Sequence, residues 1–162
     1  MAVKELTKEL VHSLRDSIRE VLQTMVFVTP TTIEVEQYAG QTFSDEVIGL
    51  LSFTGTQCGM LCIRSTENTV KTMVAQMLSM EPGEFASFAD AVDGFGEVVN
   101  MVTGSFKNTW VTLGNTMDLS VPTVIYHGYV SLGSSTPGLT RPWVKVVLPF
   151  GAISVGIVFE AD

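Results

Sequence analysis

The apolar residues of this chain keep two different periods in separate blocks, and the order of those blocks restricts what it can fold into. Leu6, Leu10, Leu14, Ile18, Leu22 and Met25 recur at helical spacing, with Val11 and Val21 alongside and charges on the opposite face. This predicts one amphipathic helix over residues 6–26, stopped at Thr29-Pro30. Thr32 to Gln37 then alternates, with Ile33 and Val35 expected to face in and Glu34 and Glu36 out, as a strand does. Val47 to Thr54 and Met60 to Arg64 read as two further strands turning at Gly55 to Gly59. Thr66 is placed to cap a second helix, whose apolar face holds Val70, Met73, Val74, Met77 and Leu78 and whose stop is Pro82-Gly83. A third helix spans about Ser87 to Thr109. Met117 to Tyr126, Tyr129 to Leu132, Trp143 to Leu148 and Ala152 to Phe159 read as strands, with a Gly/Ser/Thr/Pro loop tract over Gly133 to Pro142. Strands grouped between helices point to an α+β fold, an antiparallel β-sheet with long helices packed on it. A length of 162 residues fits a single domain, 1–162. A chain of that size buries about two-thirds of its unfolded surface without a metal or disulfide staple.

Charge narrows the function. Nine Lys and Arg against 17 Asp and Glu give a net charge of −8, a poor match for phosphate backbones or anionic lipid. No nucleic-acid or membrane partner is expected. The cleanest charge-free apolar run, Val146 to Phe159, has 14 residues and contains Pro149, Gly151 and Gly156. A spanning helix needs about 20. The N-terminal stretch carries charges throughout, unlike a signal peptide, so the cytoplasm is the expected compartment. Cys58 and Cys62, four residues apart on a strand, are expected to be buried structural thiols facing one side. His12 and His127 have no metal-ligand spacing, and no metal site is expected.

The chain also hints at two halves, roughly 6–64 and 87–160. Phe53-Thr54-Gly55 with Gly59 matches Phe150-Gly151 with Gly156 at an offset of 97. Glu20 to Gln23 matches Glu97 to Asn100 at an offset of 77. An internal duplication with about 20 extra residues in the second half accounts for both.

The third helix carries the chemistry. At about 100° per residue, Phe88, Ala91, Val92, Phe95, Val98, Val99, Val102 and Phe106 gather as a core stripe. Asp93, Glu97, Asn100 and Gly104 gather opposite, within about 60° of one another. Gly94, Gly96 and Gly104 each cost about 1 kcal/mol inside a helix relative to Ala. Close approach of another surface explains that cost, whether a partner molecule or a neighbouring helix. A carboxylate and a carboxamide one turn apart on a low ridge can reach into a partner's cleft. The Glu engages a cation there, and the Asn donates and accepts hydrogen bonds and so orients a water.

Asp93, Glu97, Asn100, Met101, Gly104 and the downstream Pro122, centred on DGFGEVVNMVTGSFKN, resemble the signature of the CheC/CheX/FliY chemotaxis phosphatases. The resemblance covers most of the chain. It implies removal of phosphate from the aspartyl-phosphate of a CheY-like response regulator. Glu97 would hold the partner's active-site Lys and Asn100 would position the attacking water, with Asp93 and Pro122 as motif members in more structural roles; Asp93, Gly96 and Gly104 are expected at the partner contact. No cofactor is implied for this chain, Mg²⁺ being expected in the partner's active site. CheC-like members carry the pair on both related helices, whereas the first helix here offers Glu20 and Gln23. One intact site is similar to CheX, whose members are homodimers, and the almost uncharged Tyr129 to Trp143 tract supplies strand edges for such pairing. The competing reading is a non-catalytic interaction module of the same fold, a flagellar-switch or signalling scaffold. A small-ligand sensor rests only on the eight methionines, of which Met73 and Met77 are more simply core.

Overall fold

The helical period that opens the sequence is realised as α1 (Val3–Val21), but its last five residues, Leu22–Val26, widen into a π-helical turn. That turn keeps Leu22 and Val26 fully buried and ends at Phe27, which takes a left-handed φ of 61°. The expected uniform helix to residue 26 is thus corrected at its end. The structure, a computed structural model, describes residues 3–36, 42–131 and 142–160. Gln37, Leu132 and residues 133–141 of the expected loop tract lie outside these.

After α1 come β1 (Thr32–Glu36), β2 (Thr42–Phe43), β3 (Val47–Gly55) and β4 (Gly59–Ser65). Helix α2 (Glu67–Met77) follows, with Thr66 Oγ1 accepting the Thr69 N–H at 3.2 Å as its N-cap. It ends ahead of Pro82, where the chain has already turned through Ser79 (φ 56°) into a 3₁₀ turn at Pro82–Glu84. Leu78 therefore sits past the last helical turn and is 50% exposed, rather than joining Val70, Met73 and Val74 in the core. Helix α3 (Ala89–Thr112) leads to β5 (Met117–Leu119), β6 (Thr123–Tyr126), β7 (Val130–Ser131), β8 (Trp143–Leu148) and β9 (Gly151–Phe159). The single strand expected over Met117 to Tyr126 is two. Pro122 has no N–H to give a ladder, so the strand breaks before it and resumes at Thr123.

The strands form an antiparallel sheet in the order β1-β8-β9-β4-β3, with β5 and β6 both on the far edge of β3. A separate ribbon pairs β2 with β7. The fold is α+β, as the grouping of strands implied. β1, which follows α1, pairs with β8, and β6, which follows α3, pairs with β3. Cys62 and Gly156 pair at the centre of the β4–β9 ladder.

The helices cover one sheet face. Leu14, Ile18, Met73, Phe95, Val99 and Val102 pack on Leu51, Leu61, Ile63, Val146 and Val155, all nearly inaccessible. Gly49 lets α3 sit low on β3, since a Cβ there would lie 2.5 Å from Val99 Cγ2 and 2.9 Å from Phe95 Cε1. The opposite face buries Ile48, Cys62, Trp143 and Val158, with the Arg64 guanidinium over the Trp143 ring at 4.5 Å and 3.0 Å from Asp45 Oδ2.

Candidate functional site

Seating α3 by its apolar stripe turns its other side outward. Ala91, Phe95, Val98, Val99, Val102 and Phe106 are buried, and Phe88 and Val92 at the margin are half-buried. Asp93, Glu97 and Asn100 are exposed in one row. Glu97 and Asn100, three apart on one helix, have Cβ atoms about 5–6 Å from each other. Among the described residues neither side chain has a hydrogen-bond or ion-pair partner. Both are free to meet something outside the chain.

The glycines divide. A Cβ at Gly94 would lie 2.3 Å from Val74 Cγ1, so this glycine exists to let α2 approach α3. Gly96 is buried, with Pro122 Cγ 3.6 Å from where its Cβ would be, so it packs under Pro122 instead of lying open on the ridge. Gly104 has nothing within 4 Å of that position. Of the three, it alone keeps the helix low toward open solvent. Pro122 thus packs against α3 at Gly96, and Asp93 stands on the exposed row one turn before Glu97.

Glu20 and Gln23 do not repeat the arrangement. The Ser105 hydroxyl of α3 donates to Glu20 Oε2 at 2.7 Å, which occupies that carboxylate within the chain. Gln23 lies inside the π turn, where i,i+3 spacing no longer stacks two side chains as in an α-helix. Both residues are exposed, so solvent access does not distinguish the two pairs. Helix geometry does.

The thiols also separate. Cys62 is buried on the outer sheet face, and burial pushes its thiol up to about 12, leaving it protonated and a poor nucleophile. Cys58 precedes β4, in the turn, and is only half-buried, which corrects its expected place on the strand. Among the described residues no three His, Cys, Asp or Glu side chains are grouped to hold a metal ion. No described helix is long and apolar enough to cross a membrane.

Beside Glu97 an open depression of about 650 Å³ runs along the first turns of α3. Asp90, Asp93 and Glu97 contribute carboxylates to it, and Leu78, Pro122 and Val124 contribute apolar surface. Sequence periodicity missed it because Leu78 reads as core and Pro122 reads as strand. The proline inside an apolar run was the available signal.

A family model described as "Chemotaxis phosphatase CheX" matches residues 47–139, which include Asp93, Glu97, Asn100 and Pro122. No curated protein matches the sequence. The fold is similar to a chemotaxis protein CheX from Desulfovibrio desulfuricans, at 20% identity and a TM-score of 0.78, over 94% of this chain and 99% of that one. It is similar to CheX from Vibrio vulnificus at 22% identity and 0.72, over 94% and 97%. A CheX-CheY-BeF3-Mg²⁺ complex from Borrelia burgdorferi contains a chain similar at 21% identity and 0.70, over 93% and 97%.

Proposed function

This chain belongs to the CheX family of chemotaxis phosphatases, and from that premise we propose that it hydrolyses the aspartyl-phosphate of a CheY-like response regulator with Glu97 and Asn100. The observation that carries the reading is the pair itself, exposed side by side on a helix anchored by its buried face, with no partner among the described residues. The Borrelia relative is seen with CheY, BeF3 and Mg²⁺, which supports a regulator as the partner here.

In this reading the regulator brings the phospho-Asp, its Mg²⁺ and a Lys. Glu97 accepts hydrogen bonds from that Lys and fixes the two proteins in register. The Asn100 amide holds one water in line with the P–O bond to the aspartyl oxygen. The water oxygen bonds to phosphorus, the aspartyl P–O bond breaks, and carboxylate and inorganic phosphate leave, the water's proton passing to phosphate or solvent. Positioning is the enzyme's whole contribution, and orientation alone is worth several kcal/mol of barrier. The site acts in the cytoplasm, where such regulators work.

Glu97→Ala is expected to weaken the complex as well as turnover, because its charge acts in docking. The check is titration with a beryllofluoride-activated regulator beside a phosphate-release assay. Gln23→Ala should leave turnover within about twofold, since its helix lacks the α-helical pair geometry. Loss of most activity there would move the assignment to a CheC-like enzyme with two working helices. Regulator binding by wild type without any turnover would make the chain an interaction module of the same fold.

The reading extends to a homodimer joined through β-strand edges, the Glu97 helices facing outward toward one regulator each. Tyr129, 82% exposed beside the β2–β7 ribbon, and Val35, 56% exposed on the edge strand β1, offer apolar surface for it. Light scattering at micromolar concentration is expected to give twice the chain mass of 17.6 kDa. A monomer mass refutes this, as does an interface that covers Asn100.

A further inference from the structure

We infer that the depression beside Glu97 is a second docking point for the regulator, which receives an apolar side chain flanked by a Lys or Arg from outside the regulator's phosphorylation site. This rests on the phosphatase reading, and it assigns to separate residues the task of choosing the partner.

The surface is apolar where a soluble helix end is normally polar. Leu78, 50% exposed, lines the hollow with Met77, Pro122 and Val124, and Val121, next to Pro122 in the chain, is 80% exposed. Neither exposure is an accident of a loose segment. Leu78 is held at the end of α2 by its N–H on Val74 O at 3.0 Å, and Val121 is held beside Pro122 by the Ser120 N–H on Ser52 O at 2.9 Å. Apolar side chains held in solvent next to a concave, polar-rimmed surface mark an interaction site.

Charge selects the occupant. Asp90, Asp93 and Glu97 project along the same stretch of α3, and among the described residues no Lys, Arg or His lines the hollow. None of the three has an ion-pair partner among the described residues. An acidic partner surface is repelled, and a purely apolar one leaves three carboxylates facing it unpaired. A side chain such as Leu, Ile or Met with a neighbouring cation meets both demands. The hollow is also continuous with the Glu97 ridge, so a regulator seated on Glu97 and Asn100 lies against it.

The division of labour gives a test. Leu78→Ser removes apolar surface, Asp90→Asn removes charge while keeping an oxygen for the Ser87 N–H it caps, and Asp90→Lys reverses the charge. Each is measured for KM and kcat on phosphorylated regulator and for Kd on beryllofluoride-activated regulator, with melting temperature as the folding control. Leu78→Ser and Asp90→Asn are expected to raise KM and Kd about fivefold or more with kcat within twofold. Asp90→Lys is expected to raise both further and to flatten the dependence of Kd on salt. Folded variants with unchanged KM and Kd, alongside an inactive Asn100→Ala, overturn this docking point and leave the phosphatase reading standing. If wild type turns nothing over, that reading fails by itself. The Kd series still judges the hollow: weaker binding by the variants supports it, and equal or absent binding overturns it.

Discussion

Asn100→Ala is expected to reduce regulator dephosphorylation at least 100-fold while changing stability by no more than about 0.5 kcal/mol. The two halves of that expectation have one cause. Asn100 is exposed and its side chain bonds to nothing among the described residues, so its removal leaves no cavity and no orphaned buried group. Its amide is also the chain's means of holding the attacking water, and a small displacement of a reacting group can cost about 100-fold. Regulator binding should survive, since Glu97 and the surrounding ridge remain. The measurement is decay of phosphorylated regulator with and without the variant, paired with thermal melting. A variant that melts far below wild type assigns Asn100 a structural role. A folded variant with full activity removes Asn100 from the mechanism.

Phe95→Ala, five residues earlier on the same helix, is expected to do the reverse. Phe95 is fully buried in the main core and its ring lies over Gly49 of β3. Truncation removes a large side chain from the joint that seats α3, and Phe-to-Ala changes in cores cost about 3–5 kcal/mol. For a domain of this length that corresponds to a fall in Tm of about 6–20 °C, roughly 2–4 °C per kcal/mol. Against a typical total stability of about 5–15 kcal/mol, part of the population unfolds near physiological temperature. The fraction that stays folded should still turn over regulator, with activity tracking folded protein in circular dichroism. Unchanged melting would mean that α3 is anchored elsewhere and that the buried stripe is not what positions Glu97 and Asn100.

These expectations come from two sides of one helix, and both sides were legible in its period. Burial on a helix repeats every 3.6 residues, so the core stripe and the exposed row could be written down from sequence spacing alone. Thr66 as a cap follows from equally local chemistry. The grouping of strands pointed to an antiparallel α+β fold for a similar reason, because short alternating runs joined by turns have few other ways to pair.

The errors occur where contacts are distant in sequence. Nothing near Gly94 says that Val74 will press against it, or that Gly96 will lie against Pro122, so the sequence left open whether a partner or a neighbouring element approaches these glycines. Glu20 and Gln23 look like a nearly intact second pair until the π turn displaces one and Ser105, 85 residues away, occupies the other. The sequence by itself determined the helices, the fold class and the exposed Glu97–Asn100 pair, since each follows from backbone geometry repeated over a few residues. Tertiary structure alone decided which glycines face solvent, which acidic pair is unoccupied and where the hollow beside Glu97 opens, because those depend on what the folded chain brings across the gap.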